Sequence, residues 1–179
     1  MATSAPASIH DVRRLREVGA ADLESLADVL VDCVEGGASV SFMLPMTRAK
    51  ALAFWRDVAA GVARGERALL VVEDAQGIVG TVQVILAQPE NQPHRADVAK
   101  MLVHRRARRQ GAGAALMRAA EREARVEGKT LLVLDTADDT AARLYARLGW
   151  QAVGTIPRYA LLPAGGECAT TIFYRPLVA

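Results

Sequence analysis

The sequence predicts an α+β domain with one central, mostly antiparallel mixed sheet of about six or seven strands, flanked by about four helices. Three observations carry this. First, β-rich runs over 68–73, 78–87 and 96–103 follow one another through short loops, the pattern of an antiparallel meander. Second, a long amphipathic segment at 111–126 leads into a short apolar run at 130–134, a strand–helix–strand unit that pairs strands in parallel. Third, 179 residues suffice for one domain with a real core.

The elements follow in order. Val12–Val18 alternates weakly and is expected as an entry strand after a flexible leader of small residues over 1–11; the single domain takes 12–179. Asp22 is placed to N-cap a helix with Leu23, Leu26, Ala27 and Leu30 on one face. Gly36-Gly37 stops it, because glycine takes the left-handed cap at little cost. Thr47 caps a second helix that runs to about Arg64. Asp74-Ala75-Gln76-Gly77 reads as a hairpin turn between two strands. Ala115, Leu116, Ala119 and Ala120 form the inward face of the helix at 111–126. The run 130–134 is apolar enough to be buried on both faces. A short helix over 138–148 and two closing strands, 151–162 and 167–175, complete the chain.

Composition excludes several classes. Lys and Arg number 22 and Asp and Glu 20, so 22 − 20 gives +2, too little to imply a nucleic-acid partner. No apolar run reaches the ~18 residues of a membrane span, and the first residues lack the apolar core of a signal peptide. A cytoplasmic location with no membrane partner is expected. Cys33 and Cys168 are too few for a disulfide scaffold and read as small core residues. His10, His94 and His104 have no metal-ligand spacing, so no metal is expected.

The most informative segment is Val103–Leu116, VHRRARRQGAGAAL. A strand ends, arginines follow, and small residues open a helix. The first turn of a helix holds unpaired N–H groups and the positive dipole end. Small residues at 111–114 let an anion approach, and Arg108 and Arg109 add charge-assisted donors. This is a diphosphate cradle in outline. It is not a Walker A loop, because no Gly-Lys-Ser/Thr follows. It fits the dinucleotide fingerprint poorly, because Leu116 stands where a third small residue belongs. The bland alternative is a solvated basic turn.

Here the sequence resembles the GNAT superfamily of N-acetyltransferases, which use acyl-CoA. Their pyrophosphate motif corresponds to Arg108-Arg109-Gln110-Gly111-Ala112-Gly113. Their late helix motif corresponds to the run from Asp138 through Ala141, Leu144 and Tyr145 to Gly149-Trp150, with Asp138 for the usual Asn and Trp150 for the usual Phe. The order of elements fits over about 12–176. Within the family the chain also resembles the tabtoxin-resistance type, which acetylates a β-lactam amino-acid toxin. That likeness rests on Gly36–Val40 with Phe42-Met43, Arg95–Val98, Leu134–Thr136 and Pro157–Tyr159.

The resemblance implies acetyl-CoA as cosubstrate and a direct attack of a deprotonated amine on the thioester in a ternary complex. It implies Asp97 and Asp135 as candidate bases or ammonium anchors and Tyr145 as the acid for the leaving thiolate. Backbone at Met101, Leu102 and Val103 would bind the pantetheine arm, with an oxyanion donor near Leu102. Arg108, Arg109, Gln110, Gly111, Ala112, Gly113 and Ala114 would hold the diphosphate, with Asp138 and Ala141 contributing from the late helix. Phe42, Met43 and Tyr159 are the candidates for the acceptor pocket. The implied partner is a small-molecule primary amine, amino-acid-like or antibiotic-like, and the closing strands are available for a homodimer. Three alternatives stand beside this: a peptide or protein acetyltransferase, a non-catalytic acyl-CoA sensor, and a nucleic-acid binder using Arg105–Arg109.

Overall fold

A computed structural model describes residues 11–177. Apart from Asp11, the leader expected at 1–11 lies outside the described residues. The elements are β1 (Arg13–Leu15), α1 (Ala20–Glu35), α2 (Arg48–Ala63), β2 (Arg67–Asp74), β3 (Gly77–Ile85) and β4 (Arg95–Val103). After a short 3-10 turn at Arg105–Ala107 come α3 (Ala112–Val126), β5 (Leu131–Thr136), α4 (Asp139–Arg147), β6 (Gln151–Leu161) and β7 (Glu167–Pro176). The strands form one seven-stranded mixed sheet, as the sequence predicts, and their order in it is β1-β2-β3-β4-β5-β7-β6. Every pairing is antiparallel except β4 with β5.

The central strands explain the two cores. Side chains alternate across a strand, so β2 sends Ala68, Leu70 and Val72 to one face and Leu69 and Val71 to the other. The first set packs with Leu116, Met117 and Ala120 of α3. The second packs with Leu26, Leu30 and Trp55 of α1 and α2. The strand β3 follows the same rule, with Val79 on the α3 side and Ile78 on the other.

Several expectations are corrected. The helix α1 is capped by Gly19 rather than Asp22. Asp22 sits at the third helical position, where its carboxylate reaches back to accept from the Gly19 N–H at 3.0 Å. The entry strand shrinks to three residues. On α3, Ala115 is half-buried and Met117 takes its place in the core. The strand β5 extends to Thr136 and is fully buried on one face only, through Leu132 and Leu134. The reason lies in the layer above it. On that side α1 packs on β3 and β4 and α2 on β2, so the other face of β5 is left partly open. Cys33 is buried as expected, whereas Cys168 is only half-buried. Thr47 does cap α2, accepting from the Lys50 N–H at 3.2 Å.

One buried carboxylate ties the two halves together. Asp32, on α1, is 8% exposed. It accepts the Arg105 N–H at 2.8 Å and the Arg105 Nε–H at 2.7 Å, just where β4 turns toward α3. Burial alone would raise its pKa. The backbone and side-chain hydrogen bonds from Arg105, with the charges of His104 and Arg105, outweigh this and hold it below the ordinary value. Its stabilising contribution is therefore full above the unfolded carboxyl pKa near ~3.9 and is lost as pH falls through the lower folded value. Asp32→Asn should lower unfolding free energy by about 1–3 kcal/mol at neutral pH. In urea melts at pH 7 and pH 3, the gap between wild type and variant should narrow in acid.

Candidate active site

The site begins where two strands part. Between β4 and β5 the parallel ladder runs through Arg95 with Leu131, Ala96 with Leu132 and Asp97 with Val133, and then stops. Beyond it β4 stays with β3 up to the pair Val103 with Gly80. Meanwhile β5 stays with β7 up to Thr136 with Thr171. The segments 98–103 and 134–136 therefore flank a wedge between strands that no longer pair.

A β-bulge shapes one wall of this wedge. Thr81 pairs with Leu102 and Gln83 with Ala99, so Val82 faces two residues, Lys100 and Met101. Lys100 takes a left-handed φ of 51°. The bulge resets the alternation of β4. Before it, Ala96 and Val98 face α3; after it, Met101 and Val103 do, and Leu102 joins the opposite core.

The helix α3 starts at the open end of the wedge. Gly111 caps it with φ 90°, a conformation that costs glycine least. The Ala115 N–H bonds to the Gly111 carbonyl at 3.0 Å, so the N–H groups of 111–114 fall in the unpaired first turn. Those groups fit a diphosphate. Gly113 serves a different purpose. A Cβ there would lie 3.2 Å from Leu144 Cδ2 and 3.7 Å from Met101 Sδ, so its small size lets α3 approach α4 and β4. Ala112 is buried at 2% and likewise packs inward.

The arginines divide their work. Arg105 is held by Asp32 and Arg106 by Asp74. The Arg108 Nε–H donates to the Val103 carbonyl at 3.0 Å and so staples the loop to the end of β4. Arg109, left-handed at φ 61°, has no ion-pair partner among the described residues. The first three are tied to the fold by these bonds, while their side chains remain exposed. Asp138 caps α4, its Oδ1 accepting from the Ala141 N–H at 2.7 Å.

On the other side of the sheet lies a cavity of about 260 Å³, lined by Ser39, Ser41, Phe42, Met43, Asp135, Ala137, Tyr159, Ala160, Leu161 and Thr170. Phe42, Met43, Asp135 and Tyr159, far apart in sequence, meet here. The loop between α1 and α2 forms one side. It is fastened to the β6–β7 hairpin by Leu44 N–H to Pro163 O at 2.9 Å and Ser39 Oγ–H to Leu161 O at 3.2 Å. Phe42 also packs edge-on against Phe54 at 5.2 Å, so it both anchors the loop and lines the cavity. On the far side the β6–β7 register slips between Ile156 and Ala160, which brings Tyr159 to the lining.

Asp97 is not part of this lining. Its Oδ2 accepts from Gln88 Nε2 at 3.1 Å and Arg95 Nη2 at 3.3 Å, beside the last paired rung of the β4–β5 ladder. Tyr145 is 5% exposed and rests against Trp150 and Phe173. Burial, reinforced by the Asp138 and Asp135 carboxylates, pushes its hydroxyl pKa well above the ordinary tyrosine value. Its hydroxyl therefore stays protonated throughout the physiological range. Sequence reasoning missed Lys100 and Ser41. The signal for Lys100 was there, since a lysine breaks the apolar alternation of Ala96, Val98 and Leu102 in mid-strand.

Residues 65–152 match a family model described as the acetyltransferase (GNAT) domain. The chain has the fold of the GNAT acetyltransferases. Solved GNAT folds superpose over nearly its whole length. Ribosomal-protein-alanine N-acetyltransferase from Brucella melitensis is 21% identical, with 92% of this chain and 98% of that one covered and a TM-score of 0.76. YncA from Salmonella typhimurium, solved with its cofactor acetyl-CoA, is 18% identical, with 94% of each chain covered and a TM-score of 0.76. A phosphinothricin acetyltransferase from Sinorhizobium meliloti, solved in complex with acetyl-CoA, is 18% identical, with 93% and 87% covered and a TM-score of 0.76. At these identities the likeness is one of fold. The domain and its neighbours together support an acetyl-CoA-dependent N-acetyltransferase. Among the described residues no three His, Cys, Asp or Glu side chains gather as a metal site, and no helix is long and apolar enough to cross a membrane.

Gly111→Glu places a carboxylate at the left-handed position that opens α3. Calorimetric titration should show acetyl-CoA affinity falling at least ~100-fold against wild type, from charge repulsion at lost anion-binding N–H groups.

Proposed function

We propose that this protein transfers the acetyl group of acetyl-CoA to the primary amine of a small molecule, amino-acid-like or antibiotic-like, by direct attack in a ternary complex. The observation that carries the acceptor class is the partly open, mostly apolar cavity of about 260 Å³ beside the β4–β5 wedge, of a size for a small ligand. The fastened α1–α2 loop bounds it, which disfavours the extended groove that a peptide acceptor needs. The tabtoxin-resistance type fits this reading, since its acceptor is amino-acid-sized.

The first-turn N–H groups of 111–114 and Arg109 would hold the diphosphate, and the unpaired edge of β4 at 101–103 would bind the pantetheine arm. Bound acetyl-CoA would supply an activated acetyl thioester. Asp135 lines the cavity and is the group placed to receive the amine proton or anchor the ammonium. It takes that part in preference to Asp97, whose carboxylate is engaged by Gln88 and Arg95. Tyr145 keeps its hydroxyl proton and is the donor for the leaving sulfur. An N–H near Leu102 stabilises developing negative charge on the acyl oxygen. The exposed outer strand β6 is where a homodimer would form.

The test is a screen of small amines and short peptides for acetyl-CoA-dependent thiol release. Small amines should be turned over, and peptides far more slowly; the reverse order would support the peptide reading. Binding of acetyl-CoA without turnover of any amine would support an acyl-CoA sensor. Tyr145→Phe keeps the ring packing and should lower kcat by ~100-fold while leaving the acetyl-CoA Kd nearly unchanged. Wild-type kcat should show no alkaline loss from this group below about pH 10, because its pKa is raised above the usual tyrosine value.

A further inference from the structure

Lys100 is the polar side chain of the wedge for which the reading above has no part. The bulge in β4 turns it away from α3 and toward the loop that bounds the acceptor cavity. Its Nζ donates to Ser41 Oγ at 3.1 Å and lies 5.9 Å from the centre of the Phe54 ring. Ser41 lines the cavity, and so does Asp135, whose charge Lys100 feels. Lys100 forms no salt bridge among the described residues, and Ser41 is the one hydrogen-bond acceptor found for its three N–H donors there. A second ammonium, Lys50, sits 5.6 Å from the centre of the Phe42 ring and donates to the Met43 carbonyl at 3.4 Å. One carboxylate lines this cavity, and two ammonium groups touch its lining.

Backbone conformation singles out the same place. Four non-glycine residues are left-handed among those described, namely Ser41 (φ 75°), Lys100 (φ 51°), Arg109 (φ 61°) and Arg158 (φ 53°). Arg109 belongs to the phosphate loop. Ser41 lines the acceptor cavity, Lys100 bonds to it, and Arg158 precedes cavity-lining Tyr159. Such conformations persist where surrounding structure holds them, and they gather at functional sites. Ser41 and Lys100, distant in sequence, meet through a hydrogen bond between two such residues.

We propose that Lys100 and Ser41 form an anion subsite, so that the acceptor bears an acid group, carboxylate or phosphonate, alongside its amine. Asp135 takes the ammonium end and Lys100 with the Ser41 hydroxyl takes the acid end. The acceptor is then a zwitterion whose two charges are matched in opposite order across the cavity. Burial pushes the Lys100 ammonium below its ordinary pKa despite the Asp135 charge, and an anion at the subsite would reverse that penalty. This inference rests on the acetyltransferase reading and narrows its acceptor class.

The experiment compares matched amines that differ only in the acid group, with thiol release as the readout. The pairs are leucine with isopentylamine, lysine with cadaverine, and aminomethylphosphonate with methylamine. Wild type should favour the acid-bearing member of at least one pair by ~30-fold or more in kcat/KM, the scale of a charge-assisted contact. In Lys100→Met that ratio should collapse to within about threefold of unity, and Lys100→Arg should retain most of it. A general loss of folding or chemistry lowers both members together and leaves the ratio intact, so the ratio isolates the subsite. Should Lys100→Met not fold, Ser41→Ala at the exposed loop should reduce the ratio several-fold. A wild-type preference for the acid-free amines, or a ratio that survives Lys100→Met, overturns the proposal. Acetyl-CoA binding with no turnover of either member of any pair overturns the amine-acceptor reading itself, and the subsite with it. The carboxylate and phosphonate pairs distinguish the two acid groups.

Discussion

Only three residue pairs join β4 to β5, and the site follows from where that ladder ends. A parallel pair that continued to Val103 would give a closed sheet with no edge for a ligand. Because it stops at Asp97, backbone groups beyond it are left without sheet partners in mid-sheet. Unpaired buried backbone is costly unless something satisfies it. A thioester arm lying in the wedge would do so, and α3 begins at the open end with its own unpaired N–H groups. One interruption thus places a strand edge and a helix N-terminus along one path.

The interruption is held open by features on both sides. The bulge at Lys100–Met101 bends β4 and shifts its phase. The loop that leads into the unpaired first-turn N–H groups of α3 is pinned from below by Asp32 and from within by Arg108 on the Val103 carbonyl. Left-handed backbone at non-glycine residues costs about 1–2 kcal/mol each. The fold tolerates four such residues among those described, Arg109 just before α3 and Ser41, Lys100 and Arg158 at or beside the cavity lining.

Much of this was legible in the residues. The alternation of β2 and β3, the Thr47 cap, the turn at 74–77 and the small residues opening α3 are local signals, and each names its element. The family motifs at 108–113 and 138–150 extend that reading to the cosubstrate. What escaped depends on long-range register. Nothing near Asp22 shows that the helix starts at Gly19, since a carboxylate serves either position. Burial of β5 on one face depends on how far α1 and α2 reach across the sheet. Asp97 and Asp135 look alike in sequence; only the end of the ladder separates an acid held by Arg95 and Gln88 from one that lines the cavity. Lys100 was visible as a break in alternation, yet the break acquires meaning only when the bulge aims the side chain at Ser41.

The measurement that bears most directly on this account is backbone hydrogen exchange with and without acetyl-CoA, resolved at single amides. The wedge reading predicts that protection rises at Met101–Val103 and at 111–114, with little change along β2 and β3, whose ladders are already complete. Protection that rises elsewhere, or nowhere despite saturating acetyl-CoA, would contradict it.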